Sequence, residues 1–143
     1  MKKAIYIPAL VAAMLVSMSV FAIGTSNTKN KTFRHSFHHA KNVHRFDKAD
    51  GFTEYDFLVK GQYISATYDN AGGLVETDFN IAYKELPAKA KEFISNEFSN
   101  PVITDITRVE YKQNVCYKVR LESNGKEYSI ATTSAGEIVM GFE

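Results

Sequence analysis

The stretch that decides the fold is GQYISATYDNAGGLVETDF, from Gly61 to Phe79. Apolar and polar residues alternate on both sides of Asn70-Ala71-Gly72-Gly73. A period of two marks a half-buried strand, and Asn and Gly accept the positive φ of tight hairpin turns. The stretch therefore reads as a β-hairpin with Ile64, Ala66 and Tyr68 on its buried side. It has an echo 64 residues later. At that offset Gly61 meets Gly125, and Ile64, Ala66 and Tyr68 meet Tyr128, Ile130 and Thr132. Ala71-Gly72 meets Ala135-Gly136, and Leu74-Val75 meets Ile138-Val139. Upstream, Tyr55 and Phe57 meet Val119 and Leu121. One supersecondary unit used twice accounts for this pattern.

Working outward, alternation predicts a first set of strands at residues 43–47, 52–59, 62–69 and 74–81. A second set falls at 102–111, 115–122, 126–133 and 137–142. Tyr55, Phe57 and Val59 share one face, as do Val75, Thr77, Phe79 and Ile81, and as do Tyr117, Val119 and Leu121. In the last strand the parity is open, because Ile138, Met140 and Phe142 compete with Val139. A helix precedes each set. The first is predicted at residues 32–41, with Phe33, Phe37 and Ala40 at helical spacing. The second opens at Leu86-Pro87, Pro87 fitting the first helical position where no N–H is needed, and Asn100-Pro101 ends it. Leu86, Ala90, Phe93, Ile94 and Phe98 form its apolar stripe. The expected fold is α+β, a tandem α-β4 repeat (residues 32–81 and 86–143). Tight turns make one antiparallel sheet of about eight strands, with both helices packed on one face.

The chain has 143 residues, 45% of them hydrophobic, which suffices for the core of one domain. A formal net charge of +1 gives no electrostatic footprint for nucleic acid. The single cysteine, Cys116, excludes an internal disulfide. Lys2 and Lys3, the apolar residues 4–16 and Val20-Phe21-Ala22 read as a signal peptide over residues 1–22, cleaved after Ala22. The alternative is a retained anchor, since residues 4–24 approach spanning length. No cysteine lies at the cleavage region to take a lipid. Residues 23–31, rich in Ser, Thr, Asn and Lys, are expected to form a disordered tether. The domain then occupies 32–143, in the periplasm or outside the cell, and is not held at the membrane after cleavage.

Few residues carry chemistry. His35 and His39 lie one helical turn apart, with His38 beside them, a spacing that can hold a divalent metal. No HExxH motif or second cysteine supplies further ligands, so the competing reading is a solvated helix face. Cys116 should face outward beside Lys118 and Arg120, whose charges would lower its pKa. No histidine is near it in sequence, which favours an inert free thiol. Acidic pairs such as Glu54 and Asp56 lack the spacing of a calcium loop. No Gly-x-Ser-x-Gly motif or phosphate loop is present, and no cofactor is expected. The face away from the helices should carry Glu54, Asp56, Tyr63, Ser65, Thr67, Lys118, Arg120, Glu127 and Ser129. Tyr63 is a candidate binding anchor there, with Lys118 and Arg120. Asn70, Gly72 and Gly73 are the candidate contact loop, because turns on a rigid sheet often carry recognition.

The run Phe33-x-x-x-Phe37-x-x-Ala40-x-x-Val43, then Tyr55-x-Phe57 and the Gly61 turn, resembles the β-lactamase-inhibitor-like, PepSY-like proteins of Bacteroidetes-type bacteria. So do Leu86-Pro87, Asn124-Gly125 and Ala135-Gly136. Those proteins often have Trp at the position of Phe46, and this chain has no Trp. The resemblance implies a secreted or periplasmic α+β protein whose two repeats share a sheet, and it implies no catalytic residues. The function expected is a non-enzymatic binding module for an envelope protein or peptide, one version being inhibition of an envelope enzyme. The alternative is a metal-responsive envelope protein using His35, His38 and His39. An enzyme is the third reading.

Overall fold

A computed structural model describes residues Ser26 to Phe142. The signal peptide and its cleavage point lie outside the described residues. In chain order the elements are α1 (Ser26–Ser36), β1 (Lys41–Asp47), β2 (Thr53–Val59), β3 (Gln62–Tyr68) and β4 (Leu74–Asn80). A short 3-10 turn (Tyr83–Glu85) leads into α2 (Ala88–Glu97). There follow β5 (Val102–Tyr111), β6 (Asn114–Ser123), β7 (Lys126–Thr133) and β8 (Ile138–Phe142). All eight strands form one antiparallel sheet whose spatial order is the chain order.

One row keeps its parity from β2 to β7. Phe57 opposes Ile64, which opposes Phe79, and the row continues through Arg108, Tyr117 and Thr132. Opposed residues share a face, so this row lies on one side. Both helices pack on that side. Phe33 of α1 is buried with Tyr55, Phe57, Ile64, Ala66 and Tyr68. Its ring stacks on Tyr55 with centroids 4.2 Å apart and meets Phe57 and Tyr68 edge-on. Leu86 and Ile94 are buried with Ile106, Val119, Leu121 and Ile130. Burying each such side chain contributes about 1.5–3 kcal/mol. Between the two cores the Arg108 guanidinium lies 5.5 Å from the centre of the Phe79 ring and pairs with Glu110.

The duplication extends to the helices. Lys29, Phe33 and Phe37 are matched 61 residues on by Ala90, Ile94 and Phe98. The hairpin glycines are matched too. Gly72 and Gly136 both have strongly positive φ (85° and 83°), and each is buried against the start of its own helix. A Cβ on Gly136 would meet the Pro87 Cβ at 2.8 Å and the Ala90 nitrogen at 2.9 Å.

Two expectations need correction, and the open parity of β8 finds its reason. α1 covers 26–36 rather than 32–41, so residues 26–31 are helical and not a tether. Composition alone does not favour order there; a tertiary anchor supplies it. Lys29 is only 6% exposed, and its ammonium donates to the Gly51 carbonyl, to Thr53 Oγ1 at 3.3 Å and to Asn70 Oδ1 at 3.4 Å. In α2, Pro87 is the N-cap, with extended ψ of 145°, and the helix opens at Ala88. In β8 no single parity holds, because the ladder shifts register between Ala131 and Thr132.

These glycine contacts set a test. Gly136→Ala should destabilise by about 2 kcal/mol or more, adding a close approach to the left-handed backbone penalty of about 1–2 kcal/mol. Gly125→Ala has no atom within 4 Å of the new Cβ and should cost only the backbone penalty. Urea unfolding midpoints should rank the two variants in that order.

Candidate functional site on the open sheet face

The strand positions that do not point at the helices build the opposite face. One row crosses seven strands there: His44, Asp56, Ser65, Asp78, Val109, Cys116 and Thr133. Glu54 and Glu76 lie on the same face one step along β2 and β4, as do Lys118 and Arg120 on β6 and Tyr63 on β3. Asp56 and Asp78 flank Ser65, so their backbones are two strand spacings, or roughly 10 Å, apart. In each, Oδ1 is buried and has no hydrogen-bond partner. A buried acceptor left without a donor costs about 1–3 kcal/mol, a cost this face carries at both positions.

Tyr63 stands beside this pair, 50% exposed. The neighbouring Asp56 carboxylate, with partial burial, pushes its phenol up to about 12. Burial raises the Asp78 carboxyl above the usual carboxylate range, and repulsion from Glu76 adds to this while Lys118 opposes it. Val109, 3% exposed, is buried on this face between Asp78 and Cys116. The centre of the face is thus a hydrogen-bonding patch around one buried apolar residue.

Cys116 faces this way, as expected, but its thiol is raised rather than lowered. Burial dominates; Lys118 pulls the other way, and Glu76 and Asp78 repel the thiolate. Sequence spacing revealed the cations but not the carboxylates that the ladder brings across from β4. Lys118 and Arg120 are exposed on the same face, opposite Thr107 and Asp105.

The candidate contact loop does not join this site. Asn70 and Gly72 follow the far end of β3 from Tyr63, and both serve α1: Asn70 accepts from Lys29, and Gly72 is buried against Thr28. The Gly73 N–H donates to Asp69 Oδ1 at 2.8 Å, closing the turn on itself. Gly72 is thus held inside by α1, while Asn70, Ala71 and Gly73 stay exposed. The histidines also separate from their expected geometry. α1 ends at Ser36, so His38 and His39 fall in the following turn and the one-turn spacing from His35 is lost. Their two rings lie 4.0 Å apart, and all three side chains are exposed. Among the described residues no three His, Cys, Asp or Glu are grouped to hold a metal ion. An open hollow of about 320 Å³ on the helix side is lined by Tyr83, Ile94, Pro101 and Ile103, a phenol and three apolar side chains.

Glu76, Asp78 and Val109 belong to the patch and were absent from the sequence-based list. The signal for the acids was present: if Val75, Thr77 and Phe79 face the helices, Glu76 and Asp78 face away. Val109 gave none, since an apolar residue at an outward position reads as surface.

No family model matches the chain, and no curated protein matches it. Solved structures do. A DUF2874 family protein from Bacteroides uniformis aligns with a TM-score of 0.74 at 19% identity, covering 82% of this chain and 88% of its own. A proposed periplasmic protein from Bacteroides eggerthii aligns at 0.74 and 16%, covering 81% and 86%. A BLIP-like protein from Bacteroides fragilis aligns at 0.69 and 16%, covering 85% and 88%. The chain has the BLIP-like fold. The architecture implied by the resemblance is therefore the one found. At these identities the BLIP-like likeness carries the fold and no residue of the site.

Two outcomes test the electrostatics. Asp78→Asn should stabilise the protein at neutral pH, and the gain should vanish as pH falls below about 3.8. The sign follows because a carboxyl raised in the folded state favours folding when protonated and loses that contribution as pH rises through its folded pKa. Denaturant titrations of both proteins from pH 3 to 8 measure it. Cys116 should react with a thiol reagent at pH 8 more slowly than a free cysteine, and urea should restore the rate.

Proposed function

We propose that this chain is a non-enzymatic binding module of the periplasm or cell exterior, holding a protein or peptide on the open face of its sheet. The observation that supports this reading is the exposed Tyr63, set beside the carboxylate-bearing row of Asp56, Ser65 and Asp78 on the face away from the helices. Polar side chains on a rigid sheet select a partner by its hydrogen-bonding groups, and a tyrosine supplies contact area at low entropic cost. Lys118 and Arg120 on β6 extend the surface and favour a partner that also carries acceptors or acids. The raised thiol of Cys116 argues against nucleophilic chemistry there. The periplasmic or secreted location rests on the leader-like N-terminus. The likeness to a proposed periplasmic protein is consistent with it, and no helix among the described residues is long and apolar enough to cross a membrane.

Affinity capture from envelope extract tests the proposal. The wild-type chain should retain a partner that the Tyr63→Ala and Asp78→Ala chains lose by about tenfold or more, as expected when an anchor at the centre of an interface is truncated. Retention unchanged by both substitutions, or no partner above background, would overturn it.

A further inference from the structure

β1 is an outer strand of the sheet, and all seven of its residues are exposed. Phe46 is 50% exposed and Val43 43%. The direction of its backbone groups follows from the adjoining turn. The Lys48 N–H donates inward to the Phe52 carbonyl at 2.9 Å. Inward and outward groups alternate along an antiparallel strand. Phe46 therefore bonds to β2, while Arg45 and Asp47 turn N–H and C=O outward. An edge of this kind is a template for another strand.

We infer that β1 pairs antiparallel with β1 of a second copy of this chain, about a two-fold axis at Phe46. Opposed residues must share a face, so the possible axes step through single residues. With the axis at Phe46, Arg45 faces Asp47 of the partner subunit on the helix side, and the reverse holds by symmetry. The outward backbone groups of both residues then exchange hydrogen bonds across the interface. Within one chain the Arg45 and Asp47 side chains already form an ion pair at 2.7 Å, so association builds a network of four charges. Phe46 meets the partner's Phe46 on the open face, at a narrow, non-hydrogen-bonded pair where side chains approach most closely. An axis at Arg45 sets guanidinium against guanidinium. An axis at His44 needs residues 41–43, where Asn42 has φ of 51° and the ladder to β2 shifts register between Lys41 and His44. Charge complementarity thus selects both the occupant and the register. The result is a continuous sheet across two copies, with both open faces on the same side.

Sedimentation equilibrium of the purified chain should give about twice the mass of a single chain. Phe46→Lys places a charge at the axis and should raise the dissociation constant by about tenfold or more while leaving the far-ultraviolet circular dichroism unchanged. Arg45→Asp and Asp47→Arg should each be monomeric alone and should associate when mixed. Mixing sets Asp against Arg between chains while neither chain regains its own ion pair, so a purely internal role for these residues predicts no association. A wild-type chain that stays monomeric at its highest soluble concentration overturns the inference. So does a dimer that survives Phe46→Lys, or a mixture that fails to associate. A monomer that instead captures an unrelated strand at β1 also overturns it.

Discussion

Phe33 and Ile94, 61 residues apart, bury themselves on the same side of one sheet, and this shared side constrains everything else. A helix of ten or eleven residues has no stability of its own in water. Each here persists because its stripe is covered by strands that keep one parity from Phe57 through Ile64, Phe79, Arg108 and Tyr117 to Thr132. A slip of one residue along β3 or β6 would turn Ile64 or Val119 to water. Because both helices take the same side, neither covers the other.

The two halves reach this arrangement by different physics. α2 presents Ala90 at the point where its half closes, beneath the Gly136 turn. α1 presents Lys29 at the matching position, its aliphatic stem within the protein and its ammonium shared among Gly51, Thr53 and Asn70. A buried ammonium is tolerated only when its hydrogen bonds are filled. The Asn70 side chain fills one of them, which ties that turn to α1.

How much of this was legible follows from which interactions are local. The strands, their turns and the duplication were readable because alternation and positive-φ glycines are properties of neighbouring residues. Tyr63 was placed correctly on the open face by alternation alone. The start of α1 was not readable, since what orders Ser26 to Lys31 is a contact with residues more than twenty positions away. The raised thiol of Cys116 was hidden for the same reason: Lys118 is close in sequence, whereas Asp78 arrives only when β4 and β6 flank β5. Parity stayed open in β8, where a register shift lies between Ala131 and Thr132, and the bulge between Ile103 and Asp105 was silent in the sequence.

The strand order carries a consequence for how the molecule comes into being. Every strand lies beside its predecessor in the chain, and only the link from β4 to β5 is long enough to hold a helix. Loop-closure entropy is therefore small at each step, and native neighbours never wait for a distant segment to be made. A polypeptide emerging amino end first, from a ribosome or an export channel, adds each new ribbon to a finished margin. Such a topology assembles vectorially, with little time spent as an exposed intermediate open to proteolysis or aggregation.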